Sequence, residues 1–585
     1  MFFYYFLILT FDFYIFNFLY YAFLKKTFAD FYHYLFILLH HPAAFYFRFF
    51  PYSRRYTGPT RFRNGEIIGR RDASCPMAGD LGYGYGYPIF NFYAPSAYYI
   101  GGFLSLIGFD ALIATKIMLG LAVVLSGITM YLLAKEFWGR IGGMISGVLY
   151  LFAPYHAVNI FVRGDFAELW AYTFIPLVFL GIYKISRRKK SWFWITVSAL
   201  SFAAIIVSHN LTAMMITPFI IMYALILIIS SSKNNRKLST IHYALFIILG
   251  LLLPAFYWLP ALSEMKYTNV ISQIGGGADF KDHFVCLSQL WESQWGFGGS
   301  AHGCVSDGLS FRIGKIHLIL ASFSLIVLFI IFNQLNKQKI KIQLIFFVIS
   351  LFVSVYFMLE ISRPIWDAIP QMSYFQYPWR FLALSAFTTS FLGGSFIVLL
   401  KSKIISLCLG GVVIAVIILI NAKLFTPQYI SNTKSTDFTN EPNLKWRTSK
   451  ISDEYMPKNF TKPQSVNEIP NSKFTVENNK TKIKILEDKV QQFSARIISE
   501  ENSSVIINLA YFPAWHIFLD DSEISYQVIS KGLRVTVPKG EHKLSAKFIQ
   551  TPIQKLGNVL TITGVIALFI GIITHVLTKY AKKTT

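Results

Sequence analysis

The chain has 585 residues, of which 54% are hydrophobic, 17% aromatic and 14% charged, and its formal net charge is +24. Such a composition excludes a string of soluble domains, and a total of four cysteines excludes a disulfide-dense secreted scaffold. Uncharged runs of about 18–23 residues recur instead, each long enough at about 1.5 Å per residue to cross about 30 Å of hydrocarbon, so the chain reads as a polytopic membrane protein.

Residues 1–50 form the amino-terminal membrane segment or segments. Phe2 to Leu24 can span despite Asp12, with Lys25 and Lys26 as its stop; Phe31 to Phe50 is a poorer span because it holds His40, His41, Pro42 and Arg48. One crossing here gives about twelve spans in all, and two give about thirteen. Residues 51–109 read as a first external loop that carries GDLGYGYGYPIFNFYAPSAYY, Gly79 to Tyr99. Residues 110–421 read as a multi-helix core, with clear spans at Leu211 to Ser231, Ile241 to Leu262, Ile342 to Leu359, Phe381 to Leu400 and Ile404 to Asn421.

The lysines and arginines decide orientation. Clusters at Arg187 to Lys190, at Lys233, Arg236 and Lys237, at Lys337, Lys339 and Lys341, at Lys401 and Lys403, and at Lys579, Lys582 and Lys583 are separated by pairs of spans. This is the positive-inside pattern; it places the clusters and the carboxyl terminus in the cytoplasm, and it accounts for the charge without a nucleic-acid partner. The loops between them are then external: His156 to Glu168, Ser208 to Asn210, residues 263–314, Glu360 to Arg380 and residues 422–555. Cys286 and Cys304 share one of these loops, so a bridge between them is expected. Cys408 falls inside a span and is expected to pack there. No Cys/His spacing suggests zinc.

Residues 422–555 change character. Phe425 to about Asn471 is polar and turn-rich, the signature of an extended linker. Period-two alternation follows in TKIKILED, FSARIISE, VIINLAYF and LRVTVPKGEHKLSAKFI, which predicts a small antiparallel sheet or sandwich outside the membrane. Residues 556–585 supply a final transmembrane helix and a basic tail.

Span interiors nearly lack carboxylates, which disfavours an ion-coupled transporter. Ionisable groups gather instead at one set of span ends, an arrangement suited to a lipid-borne substrate meeting something outside. In the glycine-tyrosine comb, Asp80 is either a solvated loop acid or a general base at the membrane surface. Tyr85 and Tyr87 are either an interfacial belt or a pocket wall, and the alternating glycines permit the close backbone approach and positive φ that a belt does not need. RGDFAELW sets Arg163, Asp165 and Glu168 together: either a helix start with acids on its dipole, or a phosphate-binding cation beside an orienting acid. His209 in SHNLTA is either a hydrogen-bonded structural residue or a catalytic one. Glu264 ends YWLPALSE, and Trp379 with Arg380 in YFQYPWRF suits either an interfacial anchor or a lipid phosphate.

These segments, in this order and together with YFPAWHIFLDD and GLRVTVPKGEHKLSAKF, resemble the prokaryotic membrane family labelled 6-pyruvoyl-tetrahydropterin synthase-related, close to the YfhO-like proteins of the GT-C glycosyltransferase superfamily. The resemblance runs from about Gly79 to the carboxyl end. Nothing resembles the soluble pterin enzyme, whose histidine ligands are absent. The resemblance implies a GT-C-like helical core, a catalytic carboxylate in the first external loop and a polyprenyl-phosphate sugar as donor. Asp80, Asp165 and Glu168 are then the catalytic candidates, and Arg163, His209, Tyr85, Tyr87, Glu264, Trp379 and Arg380 the substrate-binding ones.

No cofactor is required by this reading, although Asp80 with Asp165 or Glu168 offers a candidate divalent-cation site. One stretch departs from the family pattern. Residues 27–78 lack the acidic motif that usually precedes the glycine-rich segment, which implies a disrupted reading frame or divergence with loss of activity. The function expected is sugar transfer to a cell-envelope acceptor at the outer face of the cytoplasmic membrane, with membrane lipids and a lipid-linked donor as partners. The alternative is a non-catalytic envelope scaffold or lipid-handling protein of the same fold.

Overall fold

The computed structural model describes residues 77–187, 192–270, 278–304, 307–334 and 337–584. The amino-terminal spans, Asp12, nearly all of the anomalous stretch 27–78, and Arg188, Lys189 and Lys190 lie outside these residues. The main helices are α1 (Ser96–Leu106), α2 (Ala111–Leu151), α3 (Phe166–Arg187), α4 (Trp192–Ser208), α5 (Asn210–Ile229) and α6 (Lys233–Leu252). They continue with α7 (Ala255–Glu264), α8 (Lys315–Ile331), α9 (Gln338–Met358), α10 (Leu382–Gly393), α11 (Lys403–Asn421) and α12 (Pro552–Thr584). Among the described residues, seven helical stretches are long and apolar enough to cross a membrane, or eight if the bent pair α6 and α7 is one span. The apolar helices α4 and α8 are shorter, at 17 residues each.

Two of the expected spans, Ile241 to Leu262 and Phe381 to Leu400, differ in detail, and α2, not among the spans named from sequence, is broken. Helix α2 is two helical segments joined at Gly139, where φ is +74 and ψ −176, and the chain doubles back there. Gly147 therefore lies against the Gly127 carbonyl and Tyr131, and Gly143 against Lys135. A side chain at Gly139 would hold that φ only at a steric cost. The run Ile241 to Leu262 is two helices bent by 65°, because Pro254 has no N–H to continue the ladder. Phe381 to Leu400 is α10 followed by a 3-10 turn over Ser395–Leu399. Cys408, expected to pack, is exposed on α11.

Helix α3 is central and buried along almost its whole length. Its Phe179 ring packs at tilted angles against Tyr223, Phe346, Phe347 and Phe387, a cluster contributed by α5, α9 and α10. In lipid such packing is held by dispersion contacts more than by water exclusion.

With β1 at Phe474–Val476, β5 at Trp515–Leu519, β6 at Ser522–Glu523 and β7 at Gln527–Ile529, the carboxyl-terminal strands form two antiparallel sheets, β1-β4-β8-β7 and β2-β3-β9-β5-β6. Strand β2 is Thr481–Asp488, β3 Gln492–Ser499, β4 Ser503–Ile507, β8 Gly532–Val537 and β9 Gly540–Phe548. Leu533, Val535 and Val537 of β8 point inward with Val505 and Ile507 of β4, and meet Ala495, Ile497, Leu544 and Ala546 of the other sheet in one apolar core. Alternation in sequence thus becomes a two-layer core in space.

The segment 425–471, expected as an extended linker, is folded onto the comb. Short helical turns occur at Ser435–Thr439 and Asn443–Thr448. Leu444 and Met456 join Leu81, Tyr83, Tyr85 and Tyr87 in a buried cluster that also takes in Ala510 of the β region.

Candidate functional site

A π-helical turn, Val158–Arg163, closes on Gly164 in the left-handed region, φ +60 and ψ +38. Wider turns of this kind recur at functional sites because they re-aim the side chains that follow. Here the turn brings Arg163 back over the start of α3. Asp165 caps that helix, its Oδ1 accepting the Glu168 backbone N–H at 2.9 Å. The helix-start reading of RGDFAELW is therefore observed, and a compact ion cluster is built upon it.

Arg163 is almost fully committed. Its Nη1 donates to Glu168 Oε2 at 2.6 Å, to Tyr155 Oη at 3.0 Å and to Asn159 Oδ1, and its Nη2 donates to Asp165 Oδ2 at 2.7 Å. Tyr155 Oη in turn donates to Glu168 Oε1 at 2.8 Å. The guanidinium lies 5.0 Å from the centre of the Trp379 ring. Tyr155 and Asn159 escape the motif reading because they sit inside an apolar run. Their signal is spacing: residues 155, 159 and 163 recur every four positions, hence on one helical face.

Arg380 approaches the same carboxylate from the start of α10, with Nη1 3.8 Å from Glu168 Oε2. Its guanidinium lies 5.5 Å from the Tyr377 ring centre and 5.9 Å from that of Trp379, and these two rings stack at 5.0 Å. Unlike Arg163, it keeps buried donors in hand: among the described residues Nε and Nη1 have no hydrogen-bond partner. Arg380, Glu168 and His209 line a narrow crevice with Leu211, Thr212, Met215 and Phe375.

His209 caps α5. Its Nδ1 pairs with Thr212 Oγ1 at 2.7 Å, which leaves Nε2 as the remaining ring nitrogen. Burial lowers its pKa, against the opposing pull of Asp165 and Glu168. Burial alone would raise the Asp165 carboxyl, but Arg163 first, then His209 and Arg380, hold it down to about 2. Both shifts act in one direction on stability. Asp165, bound as an anion, contributes above its ordinary value of 3.8 and loses that contribution as pH falls toward 2. The unfolded chain protonates His209 near 6.5 while the folded chain resists it, so acid again favours unfolding. The thermal midpoint is expected to fall on acidification from about pH 7, and His209→Asn to flatten the upper part of that fall. A midpoint level down to about pH 5 in the unsubstituted protein would remove the His209 contribution.

Asp165, Glu168 and His209 each place one ligand atom within 4.8 Å of the others, a spacing that a small cation can use. Asp80 is not in that set. Two guanidiniums already balance the two acids, which leaves a bare cation little net attraction, while the unspent donors of Arg380 call for an acceptor.

The other sequence candidates lie apart. Asp80 is half-buried at the start of the comb hairpin, which Ala78 and Tyr87 close by a two-way backbone pairing. Tyr85 is buried under Phe460, its rings 5.1 Å apart, and burial pushes its hydroxyl up to about 12. Tyr87 is fully buried, its hydroxyl accepting the Tyr455 backbone N–H at 3.2 Å. Glu264 is a buried clasp: it accepts from Asn91 at 2.8 Å, from Gln554 at 3.1 Å and from the Thr551 hydroxyl, tying the comb region and α7 to the start of α12. Tyr93, which closes the comb, lies within electrostatic reach of Asp165 and Arg380 and joins the two regions.

Cys286 and Cys304 are bridged as expected. Ser300, inside the closed loop, accepts the Trp379 indole N–H at 3.2 Å and pairs with His283 Nδ1 at 2.8 Å. With 18 residues of separation, the bridge is expected to contribute about 3 kcal/mol by restricting the unfolded chain. Reductant should therefore lower the thermal midpoint and shift tryptophan emission; an unchanged midpoint would contradict this.

Residues 90–290 match the family described as 6-pyruvoyl-tetrahydropterin synthase related domain, membrane protein. The resemblance read from the motifs holds over this segment, which contains Arg163, Asp165, Glu168, His209 and Glu264 but neither Asp80 nor Arg380. An uncharacterized protein of Lactococcus lactis subsp. cremoris (strain MG1363) is 26% identical over 312 residues, covering 52% of this chain and 48% of the relative. The chain thus spans about half the length of the curated relative it matches.

Proposed function

We propose that this multi-pass membrane protein, whose residues 90–290 carry the 6-pyruvoyl-tetrahydropterin synthase-related membrane domain, transfers a sugar from a polyprenyl-phosphate donor to a cell-envelope acceptor at the outer membrane face. The observation that carries the proposal is Arg380: a buried guanidinium with unspent donors, beside a cleft also lined by His209 and Glu168 that is too narrow for a water molecule and that a phosphate has to widen. Buried donors call for an acceptor, and a phosphate supplies several with the complementary charge.

In this reading His209 carries its proton on Nδ1, donated to Thr212 Oγ1 in place of the 3.3 Å bond it accepts from the Thr212 N–H, and the acceptor hydroxyl loses its proton to the freed Nε2 lone pair as its oxygen bonds to the anomeric carbon. The bond from that carbon to the phosphate oxygen breaks, and its electron pair leaves on the phosphate, which Arg380 holds. Asp165 is too firmly ionised to be an efficient base near neutrality, whereas a neutral imidazole is suited to the task. The two acids stabilise the imidazolium, and Arg163 fixes the acids. Asp80 keeps the role of base only as the competing assignment.

The test is binding and transfer by the purified full chain with a panel of radiolabelled polyprenyl-phosphate sugars. Arg380→Gln is expected to weaken binding by about tenfold or more, the loss typical of a charge-assisted hydrogen bond. His209→Ala is expected to abolish transfer while leaving binding, and Asp80→Asn to retain transfer; the reverse pattern reassigns the base to Asp80.

A second reading has its own support: every oxygen of Asp165 and Glu168 already has a partner, as in a structural ion cluster of a non-catalytic scaffold. Wild-type protein that neither binds nor turns over any donor of the panel would favour it.

A further inference from the structure

Both guanidiniums of the ion cluster lie against the stacked rings of Tyr377 and Trp379, and the backbone that presents those rings is strained. Gln376 holds φ +63 and ψ −40, and the Tyr377 N–H donates across it to the Phe375 carbonyl at 2.6 Å. This is a γ-turn of the rare positive-φ kind, which a residue other than glycine keeps only where its surroundings over-determine it. The turn lies four residues before Arg380, so whatever holds it also sets where that guanidinium points.

The surroundings are a second loop. His283 meets the Tyr377 ring edge-on at 4.7 Å, and the Ser300 hydroxyl, paired with His283, accepts the Trp379 indole N–H. One serine thus joins both rings to residues 283–300. That loop is itself fixed in three ways. The Val285 N–H donates to the Met358 carbonyl at 2.8 Å, at the end of α9. Asp307, buried, accepts from Gln289 Nε2 at 2.6 Å on one oxygen and from the Ala301 N–H at 2.6 Å on the other, which ties the two arms together beside Ser300. The Cys286–Cys304 bridge closes the ring of chain around them. A cation that rests on a ring moves when the ring slides, and a bound anion registers displacements of about 0.5 Å.

We infer that Ser300 and His283 are positioning residues of the Arg380 anion site: through the indole N–H and the Tyr377 ring, the bridged loop holds the strained turn in the conformation that sets Arg380 beside His209 and Glu168. The inference rests on the reading of Arg380 as the phosphate-binding residue. It adds what fixes the affinity of that residue for phosphate.

The test uses the full-length protein in lipid nanodiscs and a water-soluble phosphate monoester of a two-isoprene alcohol, with the dissociation constant measured well below the thermal midpoint of every variant. Ser300→Ala is expected to weaken binding about tenfold or more, and Ser300→Thr, which keeps the hydroxyl, to stay within about twofold of wild type. Trp379→Phe keeps a ring and removes the N–H; it is expected to match Ser300→Ala, and the double variant to bind no more weakly than either single one. Opening the bridge of the unsubstituted protein with dithiothreitol is expected to weaken binding at least about threefold, and it decides the matter even if a variant fails to fold. A loop that only supports the fold would lower the midpoint and leave the dissociation constant of the folded protein unchanged, which overturns the inference. Full additivity of Ser300→Ala and Trp379→Phe, or Ser300→Thr as weak as Ser300→Ala, overturns it too. If wild type binds the probe, Arg380→Gln does not and Ser300→Ala binds like wild type, the phosphate reading stands and this inference alone falls. If wild type does not bind the probe, or Arg380→Gln binds it equally well, the reading of Arg380 falls and this inference with it.

Discussion

Replacing Arg163 with methionine is expected to cost about 3–5 kcal/mol of stability, enough to unfold a marginal protein, because it strands two carboxylates that have been taken out of water. Glu168, with its side chain 2% exposed, would keep Tyr155 on one oxygen and lose the ion pair on the other. Asp165 would keep its helix-cap hydrogen bond and lose its counter-charge. Arg380, 3.8 Å from Glu168, is too far to replace both contacts without leaving its place against Trp379. Methionine fills much of the volume, so the loss is electrostatic more than steric. The triple variant Arg163→Met, Asp165→Asn, Glu168→Gln should therefore recover a large part of the thermal midpoint and the detergent-solubilised yield. A triple variant no better than Arg163→Met would mean that packing against Tyr155 and Trp379, not charge balance, holds this corner.

That cluster also marks how far the sequence could be read. Arg163, Asp165 and Glu168 are legible because six residues of chain put them within reach of one another whatever the fold. Trp379 and His209 are legible as residue types at span ends, but their convergence on Glu168 depends on how α3, α5 and α10 pack, and in lipid no periodic pattern encodes which helix faces which. The strands TKIKILED and GLRVTV are legible because a sheet with one buried face imposes period two. The segment 425–471 was not: it carries no periodicity, and its order comes from Leu444 and Met456 fitting between tyrosines far away in sequence, as in the Tyr83–Asp453 contact 370 residues apart. Gly82 and its neighbours announce positive φ, yet nothing local says that the resulting hairpin is a socket for this segment.

The socket makes the second large effect. Gly82→Val is expected to cost on the order of 3 kcal/mol or more, since a β-branched residue must hold φ +63 and its Cβ must find room. That Cβ would lie 2.6 Å from the Gly86 carbonyl oxygen and 2.8 Å from Met456 Sδ. The methionine can move, but the carbonyl belongs to the hairpin itself, whose Gly86 N–H is bonded to Leu81. Tyr83, Tyr85 and Tyr87 would then lose their register against Trp446, Phe460 and Tyr455. The two ties from the β side, Ala510 N–H to Tyr85 at 2.9 Å and Lys473 Nζ to Gly84 at 2.6 Å, would go with them. The damage should be local, because the helices are anchored separately by Glu264 and by the aromatic cluster around Phe179. Trypsin is expected to cut Gly82→Val rapidly after Lys445, Arg447 and Lys450 while the bundle and the sheets resist, whereas in the unsubstituted protein these sites are protected by the docked comb. Equal cleavage rates in the two proteins would show that the hairpin does not hold the segment, and the tight left-handed turn would then be without structural consequence.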